Sequence, residues 1–200
     1  MNTLDTLDTI LTRRSTRNYL PKLVEKDKLD KILLAGQFAP CGSNTQTNHF
    51  FVVQKADILQ KLISLVESRF ATMEVTEGMY SSIKNSIERS KKGGYIFTYN
   101  ASTLIIVANK KDYGNNMADC ATAVENMMIT ANALDLGSCW INQLRWLNED
   151  PIILDYLHTL GLTDDERVYA SLIVGYPATK DGLPIRTMPA RKGNEITYLL

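Results

Sequence analysis

Apolar residues recur at helical spacing in several stretches of the chain and form short unbroken runs in others. Leu4, Leu7 and Leu11 share one face of a short N-terminal helix. Leu29, Ile32 and Leu33 mark a second helix, with Asp27 placed to cap it and Pro40 to close it off. Asp57 opens a third, with Gln60 three residues on in capping-box position and an inner face of Ile58, Leu62, Val66 and Phe70. The longest helical pattern is Met117–Leu136, where Met117, Ala121, Val124, Met128 and Ala131 form a stripe that Cys120, Met127 and Leu134 widen. So wide a stripe predicts a central helix packed on more than one side, with Gly137 as its C′ residue. Pro151–Leu160 reads as a last helix.

The short apolar runs at 50–54, 103–108, 138–141 and 168–174 read as strands, and Gly175-Tyr176-Pro177 stops the last of them. Helices and strands mix without regular βαβ spacing, which favours an α+β fold over a doubly wound sheet. The polar stretch 67–94 is the nearest thing to an insertion. It ends in Lys91-Lys92-Gly93-Gly94, a helix stop, and is read as covering the domain rather than dividing it. The tail from Asp181 to Leu200 has no core pattern of its own and is expected to run across something else.

Composition narrows the field. The 200 residues are expected to form one domain over 1–200. With 44% apolar residues and 22% charged, a sizeable core is available and a disordered tail protein is excluded. Twenty-two basic and 22 acidic residues leave a formal charge of zero, so nothing draws the chain to nucleic acid or an anionic membrane. Three distant cysteines, Cys41, Cys120 and Cys139, suggest neither a disulfide framework nor a zinc site. The first residues do not read as a secretory signal, and the expectation is a cytoplasmic protein.

Several chemistries have no motif here: no dinucleotide or Walker glycine loop, no nucleophile elbow and no paired histidines, since His49 and His158 stand alone. No metal site and no catalytic side chain are therefore assigned. Cys41 is read as a small loop residue in preference to a nucleophile. Three segments do stand out. Arg13-Arg14-Ser15-Thr16-Arg17 offers guanidiniums and hydroxyls suited to an anion, although a solvated basic turn is the plainer reading of that segment alone. Ala39 to Gln46 is a polar glycine-containing loop that exposes amide groups, or else a plain turn. Leu136 to Gln143 is a Gly-Ser turn into an aromatic strand, or else a capped helix followed by a core Trp.

Taken together and in order, RRSTR, APCGSNTQ, DCATAVENMMITANALDLGSCWI, VYASLIVGYP and the late MPARKG resemble the nitroreductase family of FMN-dependent oxidoreductases, over nearly the whole chain. That resemblance implies an α+β sandwich around a small, mostly antiparallel sheet. It implies a homodimer whose C-terminal tails are exchanged, with FMN bound at the interface. Carried over position by position, Arg13, Arg14, Ser15 and Arg17 are expected to hold the phosphate, ribityl chain and pyrimidine edge, and Arg191 to close on the phosphate. Pro40, Cys41, Ser43, Asn44 and Gln46 are expected to reach the flavin from the other subunit. Ile141, Asn142 and Gln143 are expected near its reactive edge. Hydride would pass from NAD(P)H through the flavin to a nitroaromatic, quinone or related acceptor, in ping-pong fashion. The alternatives are a flavin-binding regulatory or storage protein and a scaffold without flavin. The chain departs from many relatives at Cys41 (often Ser), Thr47-Asn48 (often Pro-Trp) and Asn142 (often Gly or Glu).

Overall fold

Strand Thr103–Lys110 (β2) is buried by both faces of the molecule, which explains its unbroken apolar run. Leu104 to Ala108 have no exposed surface. Leu104, Ile106 and Ala108 enter one core, while Ile105 and Val107 enter the other. A strand covered on both sides has no solvent face on which to place polar residues.

The computed structural model describes residues 5–200. Helices Thr6–Thr12 (α1) and Lys26–Gln37 (α2) lead to strand His49–Val53 (β1). Helices Ala56–Ala71 (α3) and Ser81–Lys92 (α4) precede β2. Helix Asn116–Ala133 (α5), strand Gly137–Ile141 (β3), helices Gln143–Trp146 (α6) and Pro151–Thr159 (α7) and strand Glu166–Gly175 (β4) follow. The sheet order is β1-β2-β4-β3, antiparallel throughout. At a bulge, Val107 faces Ala170 and Ala108 faces Val168. The extra Tyr169 breaks the alternation of β4 and turns Val168 into the core opposite to that of Ala170.

One face of the sheet packs on α2 and α5 through Val24, Ile32, Val124, Met127 and Met128. The other packs on α3, α4 and α7 through Leu62, Val66, Phe70, Ile87, Ile153 and Leu157. The α+β sandwich is thus a sheet between two helical layers. The 67–94 stretch covers the domain as expected: α3 runs on to Ala71, and α4 lays Ser86, Ile87 and Ser90 inward and stops at Gly93.

Several local expectations are corrected. Asp27 and Asp57 do not cap. They stand at the second helical position after Glu25 and Lys55, where a negative charge still meets the helix dipole. The buried face of α5 includes Asp119 and Asn132, while Met117 is exposed. Gly137 is not the C′ residue. Asp135 takes the left-handed conformation (φ 61°) that ends α5, and Gly137 begins β3. The expected N-terminal helix face at Leu4 lies outside the described residues. No described helix is long and apolar enough to cross a membrane.

Candidate functional site

The first and third singled-out segments meet along the outer edge of β3. Thr16 N–H donates to Ser138 O at 2.9 Å, and Ser15 pairs with Ser138 as an isolated parallel bridge. Glycine at 137 permits this approach. A Cβ there would lie 2.6 Å from Thr16 Oγ1 and 2.8 Å from its Cβ.

This pairing sets Arg13 and Arg14 at the end of α1. Arg13 Nε lies 3.9 Å from Glu125 Oε1 on α5, a long and loose pair. Its Nη1 is buried with no hydrogen-bond partner among the described residues. Arg14 has its donors on main-chain carbonyls: Thr187 O at 2.6 Å, Leu11 O at 2.9 Å, and Arg13 O. Desolvation, then the nearby charges of Arg13 and Arg191, hold its pKa below the usual arginine value. Arg191 arrives in the tail, which Arg186 ties down by donating to Asn132 O at 2.6 Å and Asp135 Oδ1 at 2.7 Å. The result is a cluster of guanidiniums, one of them with an unanswered buried N–H.

Ser15 and Arg17 stand exposed beside β3. Burial pushes the Cys139 thiol pKa up, and its Sγ lies 3.4 Å from Trp140 O. Cys120 is pushed up to about 12, chiefly by burial, so neither buried cysteine is poised as a thiolate.

In the third segment, Ile141 is buried in β3. Asn142 caps α6 and accepts from Trp140 Nε1 at 2.8 Å. Gln143 is buried. Its amide nitrogen donates to Tyr95 Oη at 2.7 Å, and its Oε1 has no partner among the described residues. Tyr95 Oη lies 2.9 Å from Ser86 Oγ, and Ser86 Oγ donates to Ser82 O at 3.0 Å. With that Ser86 proton committed, Tyr95 donates to Ser86. A directed chain thus runs from Gln143 into α4.

The second segment is held apart from these two. Gly42–Asn44 is a single 3-10 turn, with Ser43, Asn44 and Gln46 at positive φ (51°, 55° and 53°). Gln46 N–H reaches Cys41 Sγ at 3.4 Å, and Pro40 is exposed at the loop's entry. Cys41, Asn44 and Gln46 line a cleft of about 460 Å³ together with Phe38, Asn48 and Phe50. No residue of the first or third segment lines this cleft. Within one chain the structure brings the arginine segment and β3 together, and seats the loop on the first turns of α5. Asp119, Tyr113, Thr122 and Tyr95 escaped the sequence reading. An Asp inside the apolar stripe of α5 was the one signal available for them.

A two-faced antiparallel sandwich with guanidiniums gathered beside an edge strand defines an α+β architecture with an anion-attracting edge. The chain belongs to the nitroreductase family, whose sequence model matches residues 10–176. The crystal structure of an FMN-bound nitroreductase from Bacteroides fragilis is 35% identical, covers 99% of this chain and 100% of that one, and superposes with a TM-score of 0.86. A second FMN-bound nitroreductase, from Desulfitobacterium hafniense, shares the fold at 22% identity and a TM-score of 0.78, over 100% of both chains. An FMN reductase (NADPH) of Bacillus subtilis is 25% identical over 200 residues, 97% of this chain and 74% of its own length.

Proposed function

We propose that this chain binds FMN and passes reducing equivalents from NADH or NADPH to a nitroaromatic, quinone or related conjugated acceptor. The observation that carries the reading is the unpartnered buried Nη1 of Arg13 beside Arg14 and Arg191. Like charges gathered with only the loose Glu125 pair to offset them fit a ligand that brings a dianionic phosphate, and arginine's fork matches phosphate oxygens.

The donor set fits the rest of the cofactor as well. Arg13 and Arg191 would hold the phosphate, while Arg14, bonded to carbonyls, keeps the tail and α1 together. The exposed Ser15 and Arg17 would meet the ribityl chain and pyrimidine edge. Ile141, Asn142 and Gln143 would border the reactive edge, and the buried Gln143 Oε1 offers an acceptor there. The Pro40–Gln46 loop would come from a second copy, in a homodimer whose tails are exchanged. When bound, FMN supplies hydride acceptance and donation. The protein's own part is to hold, orient and shield, and no side-chain acid or base is assigned.

The test is an absorbance spectrum of the purified protein, then anaerobic addition of NADH or NADPH, then an acceptor. A yellow protein that bleaches within seconds and regains colour with menadione or p-nitrobenzoate is expected. A yellow protein that stays yellow would point to flavin storage, and one that binds no flavin would refute the proposal.

A further inference from the structure

The Cys41–Gln46 loop is short, exposed and held in a conformation that its residues disfavour. Left-handed backbone at non-glycine positions costs on the order of 1–3 kcal/mol each and persists only where the surroundings enforce it. Ser43, Asn44 and Gln46 all adopt it; bonds within the loop, Gln46 Nε2 to Asn44 Oδ1 at 3.1 Å and Gln46 N–H to Cys41 Sγ at 3.4 Å, hold part of that shape, and the rest of its support lies outside the loop.

It comes from α5 and the turn before it. Asp119, on the first turn of α5, is 4% exposed. Its two carboxylate oxygens accept from Gly42 N–H at 3.1 and 3.2 Å. Tyr113 donates its hydroxyl to Gly42 O at 3.1 Å, so both main-chain groups of Gly42 are gripped. On one side of the loop Thr122 Oγ1 shares its single proton between Pro40 O at 3.0 Å and Asp119 O at 2.9 Å. On the other side, Asn48 Nδ2 donates to Asp119 O at 3.0 Å and Asn48 Oδ1 accepts from the buried Asn109 at 2.8 Å. Side-chain ends crowd this turn. A Cβ on Gly42 would lie 2.3 Å from Asn115 Nδ2 and 2.4 Å from Tyr113 Oη. A buried carboxylate is costly unless bonded, and this one's bond within the chain goes to a main-chain N–H 77 residues away.

We infer that Asp119 is a positioning residue: through Gly42 it fixes the loop that presents Asn44 and Gln46 to the ring of the bound flavin and to the substrates that meet it there. This rests on the flavin reading given above. Asp119 touches no reactant. It acts by keeping the loop in one shape before the ligand arrives, so that binding does not have to order it.

Because the proposal puts the loop at the ring and the arginines at the phosphate, the test compares FMN with riboflavin. Asp119→Ala should weaken both by about tenfold and leave their affinity ratio unchanged, and it should raise the acceptor KM severalfold. Asp119→Asn keeps an oxygen for Gly42 N–H and should return both affinities to within threefold of wild type. Gly42→Ala leaves Asp119 in place and pushes against Asn115 and the Tyr113 hydroxyl that holds Gly42 O, so it should loosen the loop in the same direction as the alanine variant even if Asp119→Ala folds poorly. The proposal is overturned if Asp119→Ala and Gly42→Ala bind both ligands within twofold of wild type. It is also overturned if their FMN-to-riboflavin ratio collapses, as loss of a phosphate ligand would make it do. A wild-type protein that binds neither ligand sinks the flavin reading, and this proposal with it.

Discussion

Among the described residues nothing fully answers the charge of Arg13, since Glu125 is 3.9 Å away and Nη1 is buried without a partner. Charge-assisted hydrogen bonds contribute about 1.5–3 kcal/mol each. Arg13→Ala and Arg191→Ala should therefore each weaken FMN about ten- to a hundredfold. Arg13→Lys, which keeps the charge and loses the fork, should fall between. Riboflavin should barely notice any of these changes. Fluorescence titrations in which the alanine variants hold FMN as wild type does would place the phosphate elsewhere. Gly137 is the second residue with a measurable consequence. Adding a methyl group there drives it against the β-branched Thr16, whose backbone is pinned to Ser138. Overpacking of this kind costs about 1–3 kcal/mol. Gly137→Ala should shift the urea midpoint downward and loosen the Arg13–Arg17 segment. An unchanged midpoint would show that Thr16 gives way freely.

The elements were legible where periodicity alone decides. α3, α5, α7 and the four strands fall close to their expected positions, because each buries a continuous face. What was not legible depends on partners distant in sequence. α6 has four residues, too few for a period to show. Gly137 looked like a helix stop because a glycine after an apolar run is the commonest such signal, yet its reason is Thr16, far along the chain. Asp119 and Asn132 sit inside an apolar stripe because their partners, Gly42 and Thr9, come from other elements. The strand order and the grouping of the arginine segment with β3 were likewise beyond any local pattern. The end of β4 adds a prediction at this scale. Lys110 Nζ lies 2.8 Å from Asp165, and Thr163 Oγ1 donates to it at 2.6 Å. The Lys110 bond first, then that of Thr163, holds the Asp165 carboxyl at about 2, below its ordinary 3.8. A depressed carboxyl adds stability above its unfolded pKa and loses it as pH falls through the folded value. The thermal midpoint of wild type should therefore fall between pH 4 and 2, and that of Asp165→Asn should fall less steeply. Parallel acid limbs would mean that this pair contributes nothing.

At the scale of the molecule, the tail is the unresolved packing problem. Ile196, Tyr198, Leu199 and Leu200 are each at least 70% exposed, and Leu7, Ile10, Leu34 and Phe38 lie open on α1 and α2 or just beyond. Obligate interfaces bury upward of about 2,000 Å², and apolar surface of this kind is what they cover. Deleting residues 184–200 should convert a dimer into a monomer and remove the flavin with it. Light scattering that finds full-length protein monomeric with flavin bound would defeat the idea. The strip from Arg13 to Arg17 has one more consequence, set by where it lies. A free sheet edge is a template for aggregation, and cells blunt such edges with charge. Here the guard on β3 is a row of cations that pairs with the strand at Ser15 and Thr16 and is anchored just beyond by the bridge from Tyr19 to Pro177 and by Leu20 N–H on Tyr176 O. Mutual repulsion within that row works against its own attachment until an anion neutralises it. Flavin supply during expression should then govern solubility: cells starved of riboflavin should yield inclusion bodies, and added FMN should suppress fibre formation by the purified apoprotein at low salt. Equal solubility with and without flavin would show that the edge guards itself.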